Sequence, residues 1–515
     1  MATGLNHYSD ERTGTALGAT LWIAAAILSC LSVFVINGKP LFYYDTVGYI
    51  AQGHTAWQKL GYKGESPLTE RWHVVEDARS SGVPSEMPDL TEIDANNTVD
   101  GSRSAAYAII SAALAQIGAL EGLIALNLVA VLVAVWLPMR IASRRLGLPV
   151  SLSQAVALPI IVACLGSLPF FVAYLMPDTF APVLILVFAT IAVFSRHMKL
   201  WEILLALALG GLAIVSHLSH LAIAALMVPA VALISLVLAR RLWWLAPALV
   251  LLIVGLGFSE QSILRSAARA ISDSEVVIKP YITARLIEDG PGLDYLEEHC
   301  PDDAIPTCRL YTALGWSSDP WRITASHIVF ETSVRLGSFR LMTPEDQKIV
   351  ADNQVSFFFR VLRDRPLATV YAFARNVFVQ SGWVSVEMTI PTERIIWQNS
   401  KVTGLLTGEF SHGRITRDPD WLGVVTPLQQ ALYLVSLVVI VALLLLPRRA
   451  PGEIKALVIM LILGILANAM VCGGISQPST RYGARVIWLL PLAATILGIF
   501  ALRARRFYLE PERRA

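Results

Sequence analysis

The sequence predicts an all-α protein that crosses a membrane about ten times. Its 515 residues are 55% hydrophobic and only 16% charged, and the mean hydropathy is +0.58, a more apolar composition than a soluble chain of this length requires. Long apolar runs recur along the chain, and Lys and Arg cluster in alternate loops between them. The net charge of +2 gives no reason to expect a nucleic acid partner.

The apolar runs are long enough, at about 17 to 25 residues, to be interpreted as membrane-spanning helices. They are residues 15–36, 119–139, 149–168, 177–195, 200–216, 221–238, 242–258, 426–446, 456–472 and 485–502. If the N-terminus is cytoplasmic, every loop that follows an even-numbered span is cytoplasmic, and so is the C-terminus. The basic clusters lie in these loops, as the positive-inside rule requires. These clusters are Arg140/Arg144/Arg145, Arg196/Lys199, Arg240/Arg241, Arg448/Arg449/Lys455 and Arg503/Arg505/Arg506.

This topology leaves two long segments on the outer side, residues 37–118 and residues 259–425. It divides the chain into a membrane part with the first loop, 1–258, an outer domain, 259–425, and C-terminal spans with a cytoplasmic tail, 426–515. In the first loop, residues 45–58 have a helical pattern. We expect the apolar run 104–118 to lie at the interface, because counting it as a span would reverse every later loop.

The outer domain is expected to be mainly helical. The stretch Thr343-Pro344-Glu345-Asp346 has a capping residue, proline at the first helical position and acids in the first turn. Cys300 and Cys308 lie close together in this segment. A local disulfide is the expectation in an oxidising compartment, and two free thiols are the alternative.

Polar clusters from distant parts of the sequence fall at the same, outer ends of the predicted spans. Four such clusters at one depth describe a cavity better than unrelated loops do. Tyr44 and Tyr49 flank the first acid and are candidate contacts for a substrate or metal, and Tyr482 follows the arginine. The clusters centre on Asp45, Asp178, the pair His217 and His220, and Arg481.

Each cluster also has a purely structural interpretation. Asp45 lies among aromatics typical of an interfacial belt, although such a belt does not need an acid. Asp178 follows a proline and suits a helix cap. His217 and His220 share a helical face that suits a metal or a phosphate, or form only a polar turn. Arg481 needs an anion, which an outer-domain carboxylate would also provide.

Taken together, the acids and the arginine suggest a reaction type. A carboxylate can accept the proton of a hydroxyl group, while a guanidinium stabilises the charge that develops on a departing phosphate. Transfer from a phosphate-activated donor needs both groups. A donor carried on a long isoprenoid would explain why the site lies at a membrane.

On these residues the chain resembles the GT-C superfamily of polyprenyl-phosphate-dependent glycosyltransferases, which includes protein O-mannosyltransferases and the transferases that attach aminoarabinose to lipid A. The resemblance rests on the Asp45 motif in a long first outer loop with interfacial helices, on Met176-Pro177-Asp178 at the fourth span, and on Arg481-Tyr482 before a late span. It covers the membrane part, about two thirds of the chain, and not the outer domain.

The resemblance implies an inverting transfer of sugar to an acceptor hydroxyl, with Asp45 as the base. It implies that Asp178 positions the acceptor or a metal, and that Arg481, with Tyr482 beside it, binds the lipid phosphate. Many members carry Asp-Glu where this chain has Asp45-Thr46, so reactions with and without a divalent cation both stay open. The expected place is a bacterial inner membrane with the site facing the periplasm, among membrane lipids; sugar and acceptor stay open.

A transporter or flippase of a lipid-linked or anionic substrate is the main alternative. Transporters usually place ionisable groups near the middle of the bilayer and often contain inverted repeats. Here the span centres are nearly free of charge and the polar clusters lie at one surface. A catalytically inactive scaffold is a third option, and loss of Asp45 or Arg481 would be its expected mark.

Overall fold

The computed structural model describes residues 4–64, 66–67, 98–148, 150–239, 241–272, 275–402, 410–446 and 450–509. Within this part of the chain, eight helices are long and apolar enough to cross a membrane, which agrees with an all-α polytopic membrane protein. The polar middle of the first predicted outer loop, at 68–97, lies outside the described residues, as do Arg240, Arg448 and Arg449.

The described residues of the first half of the chain form ten helices. They are α1 Gly4–Asn37, α2 Tyr44–Lys59, α3 Ala105–Gln116, α4 Gly122–Leu146, α5 Leu152–Cys164, α6 Leu168–Val172, α7 Phe180–Phe194, α8 Leu200–Val215, α9 Leu218–Ala239 and α10 Leu245–Ser272. Helices α2 and α3 pack against each other, at the two places where the sequence predicts helices in the first loop.

In the second half of the chain, eleven helices lie within the residues that the structure describes. They are α11 Tyr281–Glu288, α12 Pro291–His299, α13 Cys308–Leu314, α14 Ala325–Phe330, α15 Pro344–Asp364, α16 Pro366–Gly382, α17 Glu393–Val402, α18 Leu422–Leu445, α19 Gly452–Ala469, α20 Thr480–Ile487 and α21 Leu489–Leu509. Short 3₁₀ turns are Pro177–Thr179, Ser195–His197, Pro320–Ile323, Phe339–Leu341, Glu387–Thr389 and Pro419–Trp421, and a π-helix covers Met470–Ser476.

Helix α7 forms the centre of the membrane part. All of its residues are buried, and it contains no charged side chain, which is the pattern of a helix surrounded by protein on every side. Helices α4, α8, α9 and α19 pack around it. The 3₁₀ turn Pro177–Thr179 leads directly into α7, so this rigid helix fixes the position of Asp178.

The two strands form a small parallel ladder. β1 is Thr98–Asp100 and β2 is Glu275–Val277, with Val99 opposite Val276. The ladder joins the end of the first outer loop to the beginning of the outer segment. It therefore fixes the chain that enters α3.

Two of the predicted spans are short helices in the structure. Residues 149–168 contain α5, which has 13 residues, and residues 200–216 contain α8, which has 16. Both fall below the length of a full membrane crossing, and this is the difference between ten predicted spans and eight candidate spans. The last predicted span, 485–502, lies in two consecutive helices, α20 and α21, that meet at Trp488.

The predicted domain boundary at residues 258 and 259 lies inside a helix, because α10 continues to Ser272. The outer segment itself divides between two hydrophobic clusters. Residues between Val277 and Val361 form a cluster of their own, whereas Val384, Ile390 and Ile395 belong to the cluster of the membrane part. The self-contained outer unit is therefore shorter than residues 259–425, since its C-terminal portion packs on the membrane helices.

The outer segment contains the expected helix cap and the expected disulfide. Thr343 caps α15, since its side-chain oxygen accepts from the Asp346 N–H, and Pro344 occupies the first turn. Cys300 and Cys308 are joined by a disulfide in the structure. It links the end of α12 to the beginning of α13.

Candidate functional site

Backbone pairing brings the first two acids together. The Leu41 N–H donates to the Ala173 carbonyl at 2.8 Å, and the Leu41 carbonyl accepts from the Leu175 N–H at 2.8 Å. Asp45 follows one of these segments, in the first turn of α2, and Asp178 follows the other. Two residues that are distant in sequence therefore reach the same end of the membrane part.

Asp45 carries a carboxylate that is about a third exposed, with 35% of its side chain accessible. Arg103 Nη2 lies 2.8 Å from Asp45 Oδ1, and Arg481 Nη1 lies 3.9 Å from Asp45 Oδ2. Burial tends to raise the pKa of Asp45, but the two guanidinium groups outweigh it and hold this pKa below the ordinary value of 3.8. Asp45 is therefore ionised at neutral pH.

Asp178 holds two arginines in place. Arg481 donates to it twice, from Nε at 3.0 Å and from Nη2 at 2.9 Å, and Arg485 Nη1 lies 3.5 Å away. All three side chains are 5% exposed or less. The hydrogen bonds described for the Asp178 side chain all come from these two arginines. The buried Asp178 carboxylate therefore positions the two guanidinium groups.

Aromatic rings surround the Arg481 guanidinium. Its carbon atom lies 4.8 Å from the centre of the Tyr43 ring, 5.6 Å from that of Tyr482 and 5.8 Å from that of Tyr174. These rings stabilise a cation and restrict its rotation. The partner expected as the structural alternative, an outer-domain carboxylate, is replaced by Asp178 of the membrane part.

The outer segment holds the beginning of α20 in place. The side-chain amide of Gln380 donates to the Ser479 carbonyl at 2.9 Å and accepts from the Ser479 N–H at 2.8 Å. A Cβ atom at Gly483 would lie 1.9 Å from the Trp383 carbonyl oxygen, so only glycine permits this approach. Helix α16 thus fixes the turn that presents Arg481.

The histidine pair adopts two different tautomers. The Ser219 N–H donates to His217 Nδ1 at 3.1 Å, so a neutral His217 carries its proton on Nε2. His220 Nδ1 lies 2.7 Å from the Ala213 carbonyl and donates to it. Burial and the nearby Arg485 lower the pKa of His217 to about 4. Neutral His217, which lines the cavity, therefore offers a donor there and not the lone pair that a metal needs.

The tyrosines predicted near Asp45 differ in their accessibility. Tyr44 lines the cavity and packs edge-on against Tyr43, with ring centres 5.2 Å apart. Tyr49 is 2% exposed and packs edge-on against Tyr107 at 5.0 Å. Both tyrosines line the cavity, but Tyr49 is almost fully buried, so Tyr44 is the more accessible of the two.

A cavity of about 1960 Å³ joins these groups. Its walls come from α2, α3, α9, α10, the π-helix and the outer segment. The polar part contains Asp45, Arg103, His217, Arg481 and Tyr482. The wall formed by α9 and α10 is mostly apolar, with Leu218, Ala222, Leu256, Ile263 and Leu264, and it also carries Ser219, Ser259 and Glu260. Charged groups thus lie beside a surface that suits a hydrocarbon chain.

Thr46, which directly follows Asp45, is held by hydrogen bonds of its own. The Thr46 side chain is buried, accepts from the Tyr43 N–H at 3.0 Å and donates to the Leu175 carbonyl at 3.3 Å. It therefore holds the first turn of α2 in place. Among the described residues, no group of three or more His, Cys, Asp or Glu side chains is arranged to hold a metal.

Three functional side chains escaped the sequence analysis. Arg485 lies one turn after Arg481, and this four-residue spacing places both on one helix face, which was a usable signal. Arg103 stands directly before the Ser104 cap of α3, at the beginning of that apolar run. Lys279 also lines the cavity, and it contributes positive potential at Asp45.

In comparisons with known proteins, no family model, curated protein or solved structure matches the chain.

Proposed function

We propose that this protein is a membrane glycosyltransferase of GT-C type. It moves a sugar from a polyprenyl-phosphate donor to a hydroxyl group of an envelope lipid, glycan or protein, at the periplasmic face of a bacterial inner membrane. The observation that carries the proposal is the 3.9 Å separation of the Asp45 carboxylate and the Arg481 guanidinium at the wall of one large cavity. One bound donor can therefore reach both groups.

The proposed reaction is a single displacement with inversion. The acceptor hydroxyl attacks the anomeric carbon, its proton passes to Asp45, and the bond between that carbon and the phosphate oxygen breaks. The polyprenyl phosphate leaves with its negative charge, which Arg481 stabilises. The hydroxyl proton becomes acidic only as the new bond forms, so a weakly basic but always ionised carboxylate suffices.

The shape and lining of the cavity support a lipid donor. Its apolar wall on α9 and α10 begins beside the polar group around Asp45 and Arg481. A polyprenyl chain would lie against this wall while its phosphate lies at the arginines. The eight apolar helices agree with a substrate that is delivered within the membrane.

The test is a transfer assay on the full chain in lipid nanodiscs. Undecaprenyl-phosphate-linked sugars are supplied one at a time with an envelope extract as acceptor, and undecaprenyl phosphate release is measured by mass spectrometry. The proposal expects release with at least one donor from wild type and none from Asp45→Asn. Release by neither protein, together with uptake of a lipid-linked sugar by proteoliposomes, would instead identify a transporter.

A further inference from the structure

Helix α16 carries its apolar and polar side chains on the reverse sides from those of a helix in water. On its exposed side, Leu367 is 86% exposed, Phe378 81% and Tyr371 70%, and Val370 is exposed as well. Spacings of three, four and seven residues place these four side chains on one face. The buried residues of α16, three of which are polar, are Thr369, Ala372, Asn376 and Gln380. A helix that faces water normally has its apolar side buried and its polar side exposed.

Hydrogen bonds fix the rotation of α16 about its own axis. The side-chain amide of Asn376 donates to Asp289 Oδ2 at 2.6 Å, and that of Gln380 donates to the Ser479 carbonyl at 2.9 Å. Asn376 and Gln380 are one turn apart on the buried side. Turning the apolar face inwards would break both bonds and leave buried polar groups without partners. The apolar face is therefore held outwards.

The buried side of α16 packs on the end of a candidate membrane span. The π-helix Met470–Ser476 is the last part of the apolar helix Gly452–Ser476, and the next candidate span begins at Thr480. A Cβ atom at Gly473 would lie 2.5 Å from Gln380 Cβ, so the two helices are in close contact there. Helix α16 therefore lies at the level where two candidate spans reach the membrane surface.

The position of the apolar face favours lipid as the molecule that covers it. None of its four residues is among the described residues that line the cavity. A contiguous apolar face of this kind marks a contact with lipid or with another protein. Lipid surrounds the ends of membrane spans, and α16 contains no acidic residue that would repel anionic head groups.

We propose that α16 is an interfacial helix that lies in the membrane leaflet beside these span ends, with its apolar face against the lipid chains. The apolar face consists of Leu367, Val370, Tyr371 and Phe378. Lipid contact at this face holds the outer segment on the membrane. Because Gln380 also binds Ser479, the same helix sets the level of the turn that presents Arg481. The inference holds whichever reaction the cavity supports.

The first test measures the water exposure of α16 in the unmodified full chain in lipid nanodiscs. Hydroxyl radicals generated in water oxidise accessible aromatic side chains, and peptide mass spectrometry locates the products. Tyr371 and Trp321 are similarly exposed in the structure, at 70% and 64%, but Trp321 lies beside the ion pair of Asp319 with the exposed Arg335. We expect Tyr371 to be oxidised at least about tenfold more slowly than Trp321. Similar rates would place the apolar face in water and overturn the proposal.

The second test identifies the molecule that covers the face. Nanodiscs are prepared with a phospholipid that carries a photoactivatable diazirine in its acyl chain, and crosslinked peptides are mapped after illumination. The proposal expects lipid adducts on the peptide with Tyr371 and Phe378 and none on the peptide with Trp321. Protection of Tyr371 without lipid adducts would show that a second copy or another segment of this chain covers the face, and would overturn the proposal.

A charge on the apolar face provides a matched pair of variants. Phe378→Glu should lower the Tm in nanodiscs and raise the oxidation rate of Tyr371, because a carboxylate in contact with lipid chains weakens the seating of α16. Trp321→Glu puts the same charge at a similarly exposed aromatic position and should change neither quantity. If Phe378→Glu behaves like Trp321→Glu, the apolar face does not contact lipid.

Discussion

The two ends of the central helix α7 carry the same combination of charges in different surroundings. Near its beginning, Asp178 binds Arg481 and Arg485; beyond its end, Glu202 binds Arg144 and Arg140. The helix has 15 residues and is about 22 Å long, so the two clusters lie far apart. Each cluster places one buried acid between two arginines.

The exposure of the arginines separates the two clusters. Arg140 and Arg144 are 37% and 34% exposed, and the guanidinium carbon of Arg140 lies 5.4 Å from the centre of the Trp136 ring and 5.2 Å from that of Trp201. Glu202 is absent from the described cavity wall, so this cluster has the features of a structural anchor at an interface.

At the other end both arginines are buried, and a second acid, Asp45, faces the cavity. A buried acid between arginines is therefore not by itself evidence of catalysis. The additional carboxylate beside a cavity is what distinguishes the candidate site. Variants at the two ends of α7 are therefore expected to behave differently.

The largest effect is expected from removing the base. Asp45→Asn should lower turnover by about 10²- to 10⁴-fold, because the acceptor proton has no carboxylate to receive it, while expression and donor binding stay near wild type. Turnover is measured by release of undecaprenyl phosphate. The matched control is Glu202→Gln, which changes an acid at the opposite end and should retain turnover. Wild-type turnover in Asp45→Asn would show that another group is the base.

Loss of Asp178 should destabilise the protein more than loss of Glu202. Asp178→Asn leaves two buried guanidinium groups without their shared anion, at a cost of about 3–5 kcal/mol. Glu202→Gln should cost about 1–3 kcal/mol, because water reaches both of its arginines. Thermal unfolding in one detergent compares the two variants. Equal losses of stability in the two variants would mean that the difference in burial between the clusters has no energetic effect.

Arg481→Ala should weaken the binding of undecaprenyl phosphate by a free energy of about 1.5–3 kcal/mol, the contribution of a charge-assisted hydrogen bond. Arg144→Ala removes the corresponding cation at the opposite end and should leave the affinity unchanged. Lipid binding to both variants is measured in nanodiscs. An unaltered affinity in Arg481→Ala would assign this residue to structure alone.

The smallest effect concerns pH. Because the pKa of Asp45 is held below 3.8, the carboxylate stays ionised above that pH and loses its charge only as the pH falls through the lowered value. The kcat/KM profile of wild type should therefore be level from neutral pH down to about pH 4. The profile is measured where the protein stays folded, with Glu202→Gln as control. An acid limb near pH 6 would point to a different base.

The sequence predicts much of the helical framework because an apolar run of sufficient length has few other stable structures. The helices at 45–58 and 104–118 follow from periodicity, and the cap at Thr343 from local chemistry. Helix α10 continues beyond its predicted span to Ser272, and residues of its later turns line the cavity.

The site was less accessible to sequence analysis. Asp45, Asp178 and Arg481 stand out as charges at span ends, yet their proximity depends on the pairing of Leu41 with residues before Asp178. The role of Asp178 as the partner of two arginines, and that of Arg103 beside Asp45, depend on side-chain contacts over long sequence separations. Periodicity and charge placement carry no information on such contacts.

The most direct test is a density map of the full chain in lipid nanodiscs with undecaprenyl phosphate. The account predicts a phosphate within hydrogen-bonding distance of Arg481, a tail along the mostly apolar wall of α9 and α10, and Asp45 facing the same cavity. A phosphate bound elsewhere, or lipid density along a path that crosses the membrane part with the Asp45 cavity empty, would contradict it.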